Sequence, residues 1–298
     1  MMNFSEHKVW LKAFCDEFGW PEEAYAAHDE VLEKLKENKR YFELVEAYFS
    51  DNEGDLWDTV QELRATFKEG DVRSETAELL FFVLIARHLK ERYKKEGIDE
   101  AIWYQSMKDL GAKLIECKKV RGVWGSFVAD WFIGFFRLAR FGLGRLQYEI
   151  INIPEIKNEE NKHYTGKKAI NIHIPGLGPL LPEEVEESLK TAASFYADEF
   201  AGDEVLFHCG SWLLFPDHRE FLPENSRIIS FMDFFTIIDS GYHDDGHDLW
   251  RIFNTDSKDV DTFPADTSLQ RAYIGWLKAG NKPGWGRGVI CFKKNKTA

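Results

Sequence analysis

Over the first 140 residues, apolar positions recur at intervals of three and four, the spacing of one buried helical face. HKVWLKAFCDEFGW, EEAYAAHDEVLEKLKEN and RYFELVEAYFS carry it, and further segments follow near 55–68, 75–95, 98–117 and 122–140. Leu79, Phe82, Val83 and Ala86 show the pattern within one of them. Breaks fall where turn chemistry places them, at Gly19-Trp20-Pro21, Asn52-Glu53-Gly54, Gly70-Asp71 and Gly97. The spacing predicts an all-α helical bundle over 1–140.

The period changes after Phe141-Gly142-Leu143-Gly144. RLQYEIINI alternates, placing Arg145, Gln147 and Glu149 on one face and Leu146, Tyr148 and Ile150 on the other. KAINIHI and EVLFHCGSWLLF predict two more strands, with a helix from 183 to about 199 between them. SRIISFMDFFTIID predicts a long strand run, SGYHDDGHD a hairpin turn and LWRIFNT its returning strand. Residues 267–279 predict a helix and GRGVICF a last strand. The expectation for 141–298 is an α+β (mixed α/β) domain with a mainly antiparallel sheet and flanking helices.

A length of 298 residues suits two such domains. The net charge of -13, from 51 acidic against 38 basic residues, argues against nucleic acid and anionic membranes as partners. The most apolar run, 122–136, is interrupted by Asp130 and is shorter than the roughly 20 residues of a membrane span, so it predicts a buried helix. The first thirty residues lack a basic segment followed by an apolar run, which predicts a cytoplasmic protein. Cys15, Cys117, Cys209 and Cys291 show no paired spacing and read as free thiols; no metal is expected. HDDGHD has metal-ligand residue types, but its Asp245-Gly246 pair fits a solvated hairpin turn.

INIHIPGLGPLLPEEVEESLKTAASFY, residues 170–196, reads as strand, glycine loop and helix. With the strands that follow, this layout resembles the GNAT type of N-acyltransferase, most specifically in IHIPGLGPL, FHCGSWLL and SRIISFMDF. The whole chain is similar to bacterial proteins that join a helical N-terminal domain to a divergent GNAT-like domain. The resemblance implies a twisted sheet and an acetyl-CoA or other acyl-CoA co-substrate. It also implies acyl transfer to a small-molecule or peptide amine. It places the pyrophosphate cradle at Pro175, Gly176, Leu177, Gly178, Pro179 and Leu180, where glycines allow close backbone approach. The chain departs from the family pattern at His173, where Arg or Gln is usual. PLLP separates Gly178 from the helix, and Glu183 and Glu184 occupy the helix's first turn.

Transfer from a thioester to an amine needs a base, because an amine of pKa about 10.4 is protonated at neutral pH, whereas the leaving thiol, at about 8.5, departs more easily. Glu149, His173 and His208 lie on predicted strands and are candidates, His173 sharing a face with Asn171. The family often supplies a Tyr as general acid after the third of these strands. PDHREFLPENS contains none, leaving Ser211 or His218 to substitute or the step to run without an acid. A rival reading is a non-catalytic GNAT-fold module for ligand binding or interaction. A hydrolase built from His208, Cys209 and Ser211 is disfavoured, since adjacent strand residues point to opposite faces.

Overall fold

The computed structural model describes residues 3–49, 55–244, 246 and 248–294. Contacts divide the chain into two compact units, Met1–Phe141 and Gly142–Ala298.

The first unit contains α1 (Phe4–Glu17), α2 (Glu22–Lys34), α3 (Lys39–Phe49), α4 (Leu56–Thr66), α5 (Ser74–Lys95), α6 (Glu100–Arg121) and α7 (Ile133–Phe136). Their starts are chemically marked: Asn3 and Glu6 form a capping box on α1, and Asp55 and Asp99 cap α4 and α6. α5 is the central helix, with every residue from 76 to 86 buried. The run at 122–136, expected as one helix, forms instead a 3-10 turn (Ala129–Phe132) followed by α7. Gly125 explains the break. A Cβ there would lie 2.4 Å from the Glu75 carbonyl carbon, so only glycine lets the chain pass this close to the start of α5, and Ser126 N–H donates to Glu75 O.

The strands are β1 (Arg140–Leu143), whose first two residues precede the division, and, in the second unit, β2 (Leu146–Asn152), β3 (Lys168–His173), β4 (Glu204–Ser211), β5 (Thr236–Tyr242) and β6 (Gly284–Lys293). They form one sheet in the order β1-β2-β3-β4-β6-β5. β2/β3, β4/β6 and β5/β6 are antiparallel, and β3/β4 is parallel, with α8 (Pro182–Phe195) making the crossover. The remaining helices are α9 (His218–Phe221), α10 (Arg227–Met232), α11 (Leu249–Phe253) and α12 (Ser268–Lys278).

Two expectations are corrected here. SRIISFMDFFTIID begins as α10, not as strand, because Ser226 Oγ accepts from Ile228 N–H and caps a helix whose Ile229, Phe231 and Met232 are buried. Only from Thr236 does it become β5. LWRIFNT is α11 and not a returning strand: Leu249, Ile252 and Phe253 stand at helical spacing and pack with Phe263 and Tyr273. β5 finds its antiparallel partner in β6 instead. Short apolar runs fit either element by periodicity, and tertiary packing decided both.

α8 lies over the sheet face that carries Tyr148. Ser188 Oγ accepts from Leu146 N–H at 3.1 Å, donates to Leu143 O at 2.5 Å and is 2.8 Å from Tyr148 Oη, while Tyr196 Oη donates to Tyr148 O. This fixes the helix after the glycine loop to the β1–β2 turn. The opposite sheet face is apolar at one end, where Ala169 and Val289 pack with Ile153, Ile156 and Ile238, and polar towards the end of β3.

Candidate active site

Strand alternation and register bring the polar residues together. Glu149 faces Asn171 across β2/β3, and Asn171 faces His208 across β3/β4, so the three side chains share one face of neighbouring strands. His173, two residues beyond Asn171, lies on the same face. Its Nε2 is 2.6 Å from Glu149 Oε1 and 3.1 Å from Asn171 Nδ2. With Glu149 ionised, the imidazole N–H donates to it.

His208 Nδ1–H donates to Asn171 Oδ1 at 2.8 Å. That bond fixes the tautomer and leaves Nε2 as a bare lone pair, and Nε2 is buried with no hydrogen-bond partner. His208 is only 4% exposed. Burial, then the Arg287 charge, then His173 lower its pKa to about 4. Gly210, two residues on, lies beside the Arg287 stem and the His208 ring, where a Cβ would make only ordinary contacts at 3.7 Å from Arg287 Cγ and 3.8 Å from His208 Cε1. Arg287 in turn reaches Asp239 at 3.5 Å and donates to Glu155 O at 2.7 Å.

The backbone around this cluster is open. β3 and β4 pair only at Ile170↔Phe207 and Asn171↔His208, whereas β4 continues against β6 as far as Ser211↔Gly286. Beyond His208, the β4 edge towards β3 has no ladder partner. The ladder between the two parallel strands thus stops short of their carboxyl ends, the side on which open α/β sheets take up ligands.

The glycine loop begins where β3 ends, with Gly178 at φ +79. No acceptor among the described residues takes the N–H of Gly176, Leu177, Gly178 or Leu180. The start of α8 has no side-chain cap and carries Glu183 and Glu184 in its first turn.

Glu149, His173 and His208 are thus brought together with Asn171, and Pro175 to Leu180 lies at the end of the same strand. Ser211 is not part of that group. By alternation it shares the opposite face with Cys209, and its Oγ accepts from Leu213 N–H to cap a 3-10 turn. Cys209 is fully buried, which pushes its thiol up to about 12. His218 is buried against Tyr273, and burial lowers its pKa to about 4. Of HDDGHD, Asp245 and His247 lie outside the described residues, and Asp244 pairs with Lys282 at 2.6 Å. Two neighbours of the cluster escaped the sequence reading. Asn171 was seen only as a face-mate of His173, and Arg287 gave no local signal because it comes from the last strand.

Residues 140–290 match the model of the GNAT-like C-terminal domain, and residues 10–138 match that of the N-acyltransferase N-terminal domain. The chain belongs to the GNAT-like family. With both matches on one chain, it is an N-acyltransferase, in agreement with the resemblance read from IHIPGLGPL and its neighbours. Solved structures share the fold. An acyltransferase in complex with decanoyl-CoA and teicoplanin is 21% identical with a TM-score of 0.65, over 94% of this chain and 99% of that one. An acyltransferase mutant in complex with octanoyl-CoA is also 21% identical with a TM-score of 0.65, over 96% and 99%. No curated protein matches the sequence. None of the described helices is long and apolar enough to cross a membrane.

Proposed function

We propose that this GNAT-like N-acyltransferase takes a medium-length acyl group from a coenzyme A thioester and transfers it to an amine, with His208 as the base. The observation that carries the reading is the end of the β3/β4 ladder at a buried histidine whose Nε2 has no partner among the described residues. The pantetheine arm bears amides and can pair with the open β4 edge as an added strand does. Its thioester then lies beside His208, and its diphosphate reaches the N–H groups of Gly176, Leu177, Gly178 and Leu180, which have no acceptor among the described residues.

A free amine of pKa about 10.4 is present at neutral pH in only about one molecule in a few thousand. His208 is too weak a base to strip an ammonium ion. It accepts the proton as the N–C bond forms, when the attacking nitrogen becomes acidic. The tetrahedral oxyanion then collapses, the C–S bond breaks, and the proton passes to the thiolate to give free coenzyme A. The Glu149–His173 pair borders the same opening and stabilises positive charge on the incoming amine.

Medium chain length is supported by the decanoyl-CoA and octanoyl-CoA held in the solved relatives. Calorimetric titration with acetyl-CoA, octanoyl-CoA and decanoyl-CoA tests it. Tighter binding of the longer donors is expected. Equal affinity for all three would remove the chain-length preference, and no binding of any would remove the acyl-CoA reading altogether.

A further inference from the structure

Arg145 stands in the turn between β1 and β2, and its guanidinium is enclosed by the glycine loop. Nη1 donates to Pro175 O at 3.1 Å, Nη2 to Gly178 O at 2.8 Å and Nε to Pro179 O at 2.9 Å. No carboxylate among the described residues lies within ion-pair distance of it; its partners are the three carbonyls. Burial lowers its pKa and Glu184 acts in the other direction from a distance, yet arginine keeps its charge at neutral pH. A half-buried cation here is held by carbonyl groups alone.

We infer that Arg145 is the positioning residue of the loop, aiming its N–H groups outward and supplying the positive charge that the acidic start of α8 withholds from a bound diphosphate. This rests on the acyl-CoA reading above and deepens it.

The geometry follows from the planar trans peptide, in which C=O and N–H point in opposite directions. Turning the Pro175 carbonyl towards Arg145 turns the Gly176 N–H away from it. Turning the Pro179 carbonyl inward does the same for the Leu180 N–H. The third inward carbonyl, that of Gly178, precedes a proline and costs no donor. Both outward N–H groups lack an acceptor among the described residues. Three carbonyl dipoles take three of the guanidinium's five N–H donors without cancelling its charge. A carboxylate partner would have neutralised it. The position is rigid because Ser188 of α8 bonds to Leu143 and Leu146 on either side of the turn, and a Cβ on Gly144 would contact Ser188 at 3.4 Å.

The test compares wild type, Arg145→Gln and Arg145→Lys by calorimetry, with coenzyme A and with octanoyl-pantetheine, which lacks the diphosphate and nucleotide. Arg145→Gln is expected to weaken coenzyme A about tenfold or more, in line with the loss of a charge-assisted contact, and to leave octanoyl-pantetheine within twofold. Arg145→Lys keeps the charge but not the three-way fork, so its Kd falls between the two. Unchanged coenzyme A affinity in Arg145→Gln overturns the inference while leaving the acyl-CoA reading intact. An equal loss for both ligands also overturns it, since that marks general damage to the loop. Failure of the wild type to bind coenzyme A would remove both readings together.

Discussion

Replacing His208 by Gln should separate chemistry from stability in opposite directions. The imidazole is almost wholly buried, and its pKa stands at about 4 against an ordinary 6.5. As pH falls below 6.5 the unfolded chain takes up this proton first, and the folded protein takes it only near 4. Folding stability is therefore lost across that window and is unaffected above it. A displacement of roughly two and a half units is worth about 3 kcal/mol when complete, and about 2 kcal/mol of it is already lost at pH 5. His208→Gln has no such group. Urea unfolding of both proteins at pH 7.5 and pH 5.0 should show the wild type losing about 2 kcal/mol more than the variant. The double difference removes any pH-independent cost of the substitution, and His28 and His218, also lowered to about 4, act equally in both proteins. At pH 7.5 the variant's kcat should fall by roughly 10² to 10⁴ as the base is lost. Parallel pH dependences would refute the burial argument for His208. An undiminished kcat would refute its role as base.

Glu149→Gln removes the ionised partner of His173; kcat should drop by about tenfold or more while the affinity for octanoyl-CoA changes less than twofold, a split visible in steady-state kinetics beside calorimetry. Ser188→Ala leaves the Leu146 N–H and the buried Tyr148 hydroxyl without their partner, so unfolding free energy should fall by about 2 to 4 kcal/mol, and an unchanged denaturation midpoint would contradict the role given to that hydroxyl. Ser211→Ala, on the face away from His208, should retain at least half of wild-type kcat; a loss of a hundredfold would return Ser211 to the catalytic group.

The sequence exposed the strands of the site more readily than the logic of the site itself. Alternation in RLQYEI and KAINIHI was enough to put Glu149 on one face and His173 beside Asn171, because the side-chain period in a strand is fixed. The same alternation put Arg145 on the face of Glu149, yet the two do not pair. Glu149 turns to His173, and Arg145 turns to carbonyls some thirty residues along the chain. Such pairings depend on register and on loop path, neither of which a local pattern contains. α10 and α11 were hidden for a related reason: RIISFM and LWRIF are too short for periodicity to choose between helix and strand.

The ladder between β3 and β4 consists of two residue pairs, and it is the line along which β1 to β3 meet β4 to β6. The sheet is in that sense unfinished, and under the proposed function the donor itself is the missing piece of strand. An occupied protein then has a continuous sheet and an empty one has a seam. Because a ligand that binds only the folded form stabilises it in proportion to its supply, the amount of enzyme surviving proteolysis would follow the abundance of its own donor.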